Sequence, residues 1–580
     1  MTSYESHHLF IAPLYLEKRA DSRRKDPEAR IGQLQRAVLE GSRFKLKERR
    51  FSAATPQDYG NYQYFFEDVR KSVFWRAGQT EQDDGALAFR LNVTDAPYGG
   101  AAVEPIAEIA LRFFEAVGGR LRVSEEIRLE LLDVDITLYQ FDVGHVSFLC
   151  RFRMDQETPG ADRRFHEQVL LINDRMRRLF LPWLAEGVGL IPSDDLEGRK
   201  AAQVAGGGPY HEIRLMIHEA YGNFAPQCPG VLVEDYGAGL RFETMDLEAP
   251  NRPILLESVL GQMDQRELGW SFELLDDNRM FTLAHIRTRS MTAFLDQPEW
   301  GSVEALKGNA NWHRLMTVDG VQATTATSNA ALRQQAVAEG TYARWLDSAS
   351  PDQSTLFGVT RHSFIMLGSS QNPYFTGHLT GHFLHQYSEM VRLTLGQLAA
   401  VHRFGRDIYT LSGSVMSPRR KIRSHGLDEG VFREVTAFRQ SFNDYINRLS
   451  FREVSPQIQG SELYRLVQRR LGIQDHLAQL REEISQLFSH VEMLQRQSQE
   501  KSIHQLTQTS IVLGVLAVVA GIYGANFIAM EGGRMTVDTQ ALGLFALIVA
   551  VALTAASGMT LVSGWLFALG DALRKLVRLD

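Results

Sequence analysis

The sequence predicts a mixed α/β or α+β cytosolic domain, a long stalk helix and two C-terminal transmembrane helices. Short β-rich runs and amphipathic helical runs intermix up to about residue 375. Helical patterns dominate from residue 376. Near the end of the chain, residues 505–530 and 539–570 contain no Lys, Arg, Asp or Glu. These observations predict a large polar domain attached to a small membrane part.

Length and composition exclude several protein classes. The chain has 580 residues and a net charge of −7, which is room for roughly two to four domains. Cys150 and Cys228 are too few for a disulfide framework, and no CxxC pair is present, so a reducing compartment is expected. The N-terminus lacks the pattern of a signal peptide. The mild acidity argues against a nucleic-acid polymer as a partner.

Residues 1–375 are predicted to form the cytosolic α/β domain, with a regulatory role. HLFIAPLYL, ITLYQFDVGHVSFLCRFRM and FTLAHIRT resemble strands, and FHEQVLLINDRMRRLFLPWLAEG has helical spacing. The domain contains no GxSxG elbow and no HExxH motif. An enzyme is therefore not expected.

Three histidines fall in GHLTGHFLHQY, at the start of a helical region predicted over 376–460. His378, His382 and His385 are four and three residues apart, which places them on one face of an α-helix. Three neutral imidazoles on one face could bind Zn²⁺. The alternative is that they cap the helix, pack or face solvent.

A stalk helix is predicted over 461–510, and it continues into the membrane. Apolar residues alternate three and four apart, the pattern of a coiled-coil seam: Leu477, Leu480, Ile484, Leu487, Val491 and Leu494. The alternative for this seam is an amphipathic helix packed on its own domain. No Pro or Gly occurs between Ile473 and Val512, so one helix can join the polar domain to the membrane.

Two segments are long enough to cross the roughly 30 Å hydrocarbon layer, which requires about 20 apolar residues. The predicted order is a first span at 511–530, an outer loop at 531–540, a second span at 541–569 and a tail at 570–580.

Positive charges define the orientation of this hairpin. Five of them flank the two inner ends, namely Arg496, Lys501, Arg574, Lys575 and Arg578. The outer loop has one, Arg534. Because Lys and Arg concentrate on the cytoplasmic side, both termini are expected in the cytoplasm. The predicted location is the inner membrane of the cell, with the lipid bilayer as a partner.

Extending the seven-residue register predicts a line of pore-facing side chains along the first span. Two glutamines lie at the cytosolic mouth and four aliphatic residues follow: Gln505, Gln508, Val512, Val515, Val519 and Ile522. If several copies surround a symmetric axis, this line has the profile of a hydrophobic gate. A straight helix drifts about 20° per heptad from this register.

The segment GIYGANF, at 521–527, resembles the signature of the CorA family of divalent-cation channels. That signature, Tyr-Gly-Met-Asn-Phe, occurs in the same place, at the outer end of the first of two C-terminal spans. Tyr523, Gly524, Asn526 and Phe527 match it, and Ala525 replaces the methionine. The long preceding helix and the short outer loop with Glu531 agree. The resemblance covers about 461–580, whereas the cytosolic domain is larger than in typical members.

The resemblance implies a homopentamer in which five first helices line a pore. Asn526 would place five amides at the outer mouth, with Tyr523 and Gly524 beside it as further selectivity residues. Neutral amide oxygens can hold hydrated Mg²⁺ weakly enough to release it. The implied function is a Mg²⁺ channel that the cytosolic domain gates through the stalk helix, with Mg²⁺ as transported and regulatory ion. Ala525 leaves the conducted ion open.

Two alternatives accompany this interpretation. In the first, the enlarged domain binds a small-molecule ligand, such as a nucleotide messenger, and a CorA-like pore acts as the membrane effector. In the second, the protein transports zinc, which the three histidines favour.

Overall fold

A computed structural model describes most of the polar part of the chain and part of the C-terminal region. The described residues are 4–18, 38–39, 42–49, 51, 55–74, 88–94, 104–139, 141–154, 159–177, 190–191, 210–222, 231–236, 255, 258–259, 270–275, 279–297, 303–320, 329–347, 349–416, 429–524, 528–531 and 534–537.

Sixteen strands occur in this part of the chain. They are β1 (Tyr4–Lys18), β2 (Lys47–Glu48), β3 (Ala88–Asn92), β4 (Ala107–Val117), β5 (Arg120–Tyr139), β6 (Val143–Met154), β7 (Leu190–Ile191), β8 (Tyr210–Ile217), β9 (Val231–Tyr236), β10 (Trp270–Leu274), β11 (Phe281–Thr288), β12 (Thr341–Trp345), β13 (Thr355–Val359), β14 (Ser363–Ser369), β15 (Ile528–Glu531) and β16 (Arg534–Val537).

Eleven principal α-helices accompany the strands. They are α1 (Pro56–Gln63), α2 (Glu67–Val73), α3 (Ala161–Arg177), α4 (Met291–Leu295), α5 (Val303–Lys307), α6 (Ala310–Thr317), α7 (Ala330–Gly340), α8 (Ser388–Met416), α9 (Glu429–Arg448), α10 (Ile458–Leu471) and α11 (Ile473–Gly524). Two π-helical stretches, Phe375–Leu379 and Phe383–Tyr387, flank the short helix Thr380–His382. We call 375–387 the π-helical segment.

Fourteen strands form one large sheet, whose main path is β12-β13-β14-β11-β1-β6-β5-β4-β8-β9-β7. Every strand pair in it is antiparallel except β11 with β14. The predicted mixed domain is therefore confirmed, and an antiparallel sheet of this kind is typical of the α+β alternative.

Helices cover both faces of the central strands. On one face, α3 packs against β1, where His8 Nδ1 lies 2.7 Å from Asn173 Oδ1. The other face meets the π-helical segment, since the His285 ring stacks on Phe375 with centroids 4.6 Å apart. It also meets α8. A side chain at Gly396 would approach the Tyr139 ring to 2.7 Å, so this glycine allows α8 to lie close to β5.

The chain divides into two compact units. The larger unit comprises 1–408 and 439–482, and the smaller comprises 409–438 and 483–580. The boundary predicted at 375/376 thus falls inside the larger unit, because the π-helical segment and α8 pack on the sheet. The strands of the large sheet nevertheless end at Ser369, as the change to helical patterns predicts.

The apolar seam of α11 is buried within the single chain. Leu477, Leu480, Ile484, Leu487 and Val491 are all buried. Side chains that one chain already covers are not available to pair with the same seam of a second copy. The seam therefore matches the alternative of a helix packed on its own chain.

Candidate functional site

The helix α11 extends without a break from Ile473 to Gly524, as the absence of Pro and Gly before Val512 predicts. It is the one helix in the described part of the chain that is long and apolar enough to cross a membrane. The second predicted span, 541–569, and the tail, 570–580, lie outside the described residues.

Most of the predicted pore-lining residues on α11 are exposed in the single chain. Gln505, Gln508 and Val515 are exposed. The Gln508 Nε2 atom lies 3.2 Å from His504 Nε2, one turn earlier. Val512 and Val519, by contrast, are half-buried, as is Leu516 between them. The side chain of Ile522 is outside the described residues.

The half-buried residues of α11 lie on one face of the helix, and small exposed residues lie on the opposite face. Val512, Leu516 and Val519 are four and three residues apart, so they share a face. Residues two positions away lie about half a turn around the helix. Those on the opposite face are small and exposed: Ser510, Gly514, Ala517 and Gly521.

The predicted pore line concerns several copies around an axis, so partial burial of Val512 and Val519 within one chain does not test it. The line of Gln505, Gln508, Val512, Val515, Val519 and Ile522 therefore stays a prediction.

The helix ends earlier than the predicted first span. Its last residue is Gly524 rather than Met530, and the segment Ile528–Glu531 forms strand β15. β15 pairs antiparallel with β16, and Glu531 lies opposite Arg534. Two glycines, Gly532 and Gly533, connect the strands in sequence, which is typical of a tight hairpin. Asn526 lies outside the described residues, and of Tyr523 and Gly524 the structure describes the helical backbone.

The structure does not gather the three histidines of the π-helical segment. His378 is exposed, His382 is half-buried and His385 is buried. The i→i+5 hydrogen bonds of a π-helix change the angle between successive residues, so four-and-three spacing no longer keeps one face. No three His, Cys, Asp or Glu side chains among the described residues could together hold a metal ion. The described residues therefore give no support to zinc binding by this triplet, which stays a prediction.

A buried ionic cluster, which the sequence did not reveal, joins the sheet to α8. Arg90 of β3 donates from Nε to Asp135 Oδ2 at 2.6 Å and from Nη2 to Glu389 Oε1 at 2.8 Å. Arg392 donates from Nη1 to the same Glu389 oxygen at 3.0 Å and from Nη2 to Ser147 Oγ at 3.0 Å. We call Arg90, Asp135, Glu389 and Arg392 the Arg90 cluster.

Charges and burial shift the pKa values in and beside the Arg90 cluster. Burial raises the pKa of Glu389, but Arg90 and Arg392 outweigh it, and the pKa lies below its ordinary value. Burial likewise raises the pKa of Asp135, but the nearby Arg90 and Arg392 outweigh burial, and the pKa lies below its ordinary value. Burial, with Arg392 next to it, lowers the pKa of His145 to about 3, so this imidazole is neutral at pH 7. Strong shifts of this kind concentrate at functional sites, though structural ion pairs also produce them.

No single stretch of sequence signals this cluster, because its four members come from three separate elements, β3, β5 and α8. Two weak clues exist in retrospect. Asp133, Asp135 and Thr137 place polar residues at every second position in the apolar second half of β5, and α8 begins with the closely spaced Glu389 and Arg392. A polar face on a buried strand requires polar partners from another element.

A family comparison identifies the C-terminal region. Residues 374–561 match the sequence model of the family described as CorA-like Mg²⁺ transporter protein. A search among curated proteins finds no match for the chain. The family match begins at Tyr374, directly before the π-helical segment. It includes α8 to α11 and both strands of the hairpin, and it contains the Tyr-Gly-Ala-Asn-Phe sequence. Residues 374–561 therefore match the CorA-like Mg²⁺ transporter family, which confirms the predicted resemblance for this part of the chain.

Proposed function

We propose that the protein transports divalent metal cations, with Mg²⁺ as the substrate, through a pore formed by several copies of the chain. The observation that carries this proposal is the family match over 374–561, which includes the long apolar helix α11 and the filter-like sequence at its end. Membership in a transporter family favours a membrane protein over a tethered enzyme.

We further propose that Asn526 supplies the amide ring at the outer mouth. Amide oxygens contact a hydrated Mg²⁺ without stripping its water shell, and this suits an ion that dehydrates reluctantly. Glu531, opposite Arg534 in the hairpin, would add a negative charge outside this ring.

The proposed test is Mg²⁺ flux into liposomes that contain the purified full chain and a Mg²⁺-sensitive dye. Asn526→Ala should reduce the flux at least about tenfold, since each subunit loses one ion contact. Asn443→Ala, at an exposed position of α9, is the matched control and should transport as the unaltered protein does. Equal flux in the Asn526→Ala protein would reject the proposed filter.

We propose that the cytosolic domain controls the pore through α11, because this one helix carries both the buried seam and the apolar segment. Regulation by Mg²⁺ itself can be tested directly. If chelating Mg²⁺ on the cytosolic side leaves the conductance unchanged, the regulator is a different ligand.

Ala525 is expected to affect the choice of ion. Methionine at this position would add bulk beneath the amide ring, so Ala525→Met should increase the preference for Mg²⁺ over other divalent ions. Flux ratios for Mg²⁺, Co²⁺ and Ni²⁺ in the same liposomes measure this. An unchanged ratio would mean that position 525 does not take part in selection.

A further inference from the structure

The π-helical segment buries one apolar side chain at every fourth residue. Phe375, Leu379, Phe383 and Tyr387 are all buried. In an α-helix each step of four residues turns about 40° beyond a full turn, so these four positions would spread over about 120°. The i→i+5 hydrogen bonds of the two π-helical stretches widen the turns and reduce this spread. The π-helical geometry therefore keeps the four side chains on one face.

This apolar face contacts the large sheet. The rings of Phe375 and Phe383 lie beside His285 of β11, with centroids 4.6 and 5.5 Å away. The ring of Tyr387 lies 6.0 Å from that of Phe364 on β14. The helix α8 follows the segment directly, and both are within the family-matched residues 374–561. The segment is therefore the link in the chain between a sheet contact and the first long helix of the matched region.

The outer side of the segment contains two glycines that weaken its preference for the α-helix. Gly377 is exposed, and a side chain there would meet nothing within 4 Å. A side chain at Gly381 would lie 3.2 Å from Gln57 Nε2. Among the amino acids only proline is a poorer helix former than glycine. Two glycines within five residues therefore lower the cost of leaving the regular α-helical pattern.

Two hydroxyl groups offer backbone carbonyls of this region a second hydrogen-bond partner. Thr376 Oγ1 donates to the Asn372 carbonyl at 3.3 Å, and Ser388 Oγ donates to the Leu384 carbonyl at 2.7 Å. Hydroxyl groups in helices compete in this way with the backbone N–H groups. A change between i→i+4 and i→i+5 bonding therefore need not leave these carbonyls unpaired.

We propose that the π-helical segment is a conformational switch, which converts between π-helical and α-helical turns and thereby shifts α8 against the sheet. Conversion of one π-helical turn moves the chain on one side of it by about one residue, or about 1.5 Å along the helix axis. Single π-helical turns within α-helices are frequent at functional sites. The regulatory part of this inference rests on the proposed transport, whereas the conversion itself does not.

The first test is hydrogen exchange of the purified full chain in detergent, measured by mass spectrometry. Residues 383–387 and 391–400 are both helical and almost entirely buried, so packing alone predicts similar protection. The conversion breaks hydrogen bonds of the segment but not those within α8. The amides of 383–387 should therefore exchange at least about tenfold faster than those of 391–400. Equal protection of the two stretches would overturn the proposal.

Deletion of Gly377 tests the conversion directly, because the apolar residues are then spaced three, four and four, as an α-helix prefers. Exchange of the remaining residues of 375–387 should slow about tenfold. Gly377→Ala is the matched control. It keeps the chain length, so its exchange should stay within about fivefold of that of the unaltered protein. A shortened chain that folds and exchanges as before would overturn the proposal. If it does not fold, the exchange of the unaltered chain decides alone.

Liposome flux separates the switch from the proposed transport. Because the shortened chain retains one of two states, its Mg²⁺ flux should differ at least about threefold from that of the Gly377→Ala protein. Altered exchange with equal flux would overturn the regulatory role. If the unaltered chain transports no Mg²⁺, the proposed function fails, and the exchange measurements still decide whether the segment converts.

Discussion

At the scale of single residues, the carboxylate of Glu389 holds two buried guanidinium groups, because its Oε1 atom accepts from both Arg90 and Arg392. Neutralising this carboxylate leaves the two cations partly unpaired in a site from which water is largely excluded. Breaking a buried ion pair by removing one partner costs about 3–5 kcal/mol.

Glu389→Gln is therefore expected to lower the free energy of unfolding of the part that contains the large sheet by about 3 kcal/mol. Thermal or urea unfolding of the full chain in detergent measures it. Glu304→Gln is the matched control, since its pair with Lys307 lies on the surface and contributes about 0.5 kcal/mol or less. Similar losses of unfolding free energy in both proteins would show that the Arg90 cluster stabilises the fold no more than a surface ion pair does.

Buried histidines make the folded protein sensitive to acid. Burial, with Arg314 next to it, lowers the pKa of His166 to about 4 from the ordinary 6.5. Between these pH values the unfolded chain binds a proton that the folded chain does not bind, so stability falls as the pH falls. The contribution is fully present above about pH 6.5 and decreases by about 1.4 kcal/mol per pH unit below it.

His166→Leu should therefore flatten the decline in stability between pH 6.5 and about pH 4, by up to about 1.4 kcal/mol per pH unit. Unfolding midpoints measured across this range test it. Leu170→Ala, a buried change on the same helix, should lower stability at every pH and leave the slope as it is. A His166→Leu protein with the original slope would show that this histidine does not titrate as described.

At the scale of elements, α11 presents two different faces along its apolar part. Val512, Leu516 and Val519 are half-buried, whereas the small residues Gly514 and Ala517 on the opposite face are exposed. In an assembly around an axis, the exposed small face can border the lumen and leave it wide, or pack closely against a neighbouring helix.

Cysteine accessibility distinguishes the two faces. In a background without Cys150 and Cys228, Gly514→Cys and Ala517→Cys should react with a water-soluble thiol reagent and lose most of their Mg²⁺ flux. Val512→Cys and Val519→Cys should react more slowly and keep it. Faster reaction at positions 512 and 519 than at positions 514 and 517 would support the pore line that the heptad pattern predicts.

The π-helical segment shows how element geometry limits motif reading. The four-and-three spacing of its histidines places them on one face only in an α-helix. The i→i+5 hydrogen bonds of this segment change the angle between successive residues, so the spacing no longer places them on one face. The zinc alternative depended on this spacing alone.

At the scale of the whole molecule, the assembly is a direct prediction of the family resemblance. We expect five copies of the 65.4 kDa chain in one particle. Native mass spectrometry of the detergent-solubilised protein measures this. A monomer, or a particle with a different number of copies, would contradict the proposed pore of five first helices.

Much of the architecture could be predicted from residue patterns. The strand β1, the β5–β6 hairpin, β11 and the helix α3 correspond to runs with clear periodicity, and the long helix α11 follows from the absence of Pro and Gly. The strand at Ile528–Glu531 could not be predicted, because apolar residues continue to Met530 and this segment is apolar enough for either a helix or a strand.

The sequence by itself determined the polar body, the apolar C-terminal stretches and the resemblance to the CorA-like family, because composition, periodicity and the Tyr-Gly-Ala-Asn-Phe motif are local properties. Only the tertiary structure decided that the α11 seam is buried in its own chain, that the three histidines do not converge, and that Arg90, Glu389 and Arg392 meet in one buried cluster. These features depend on contacts between residues up to about 300 positions apart. Such contacts come from strand pairing and helix packing, which no single stretch of sequence encodes.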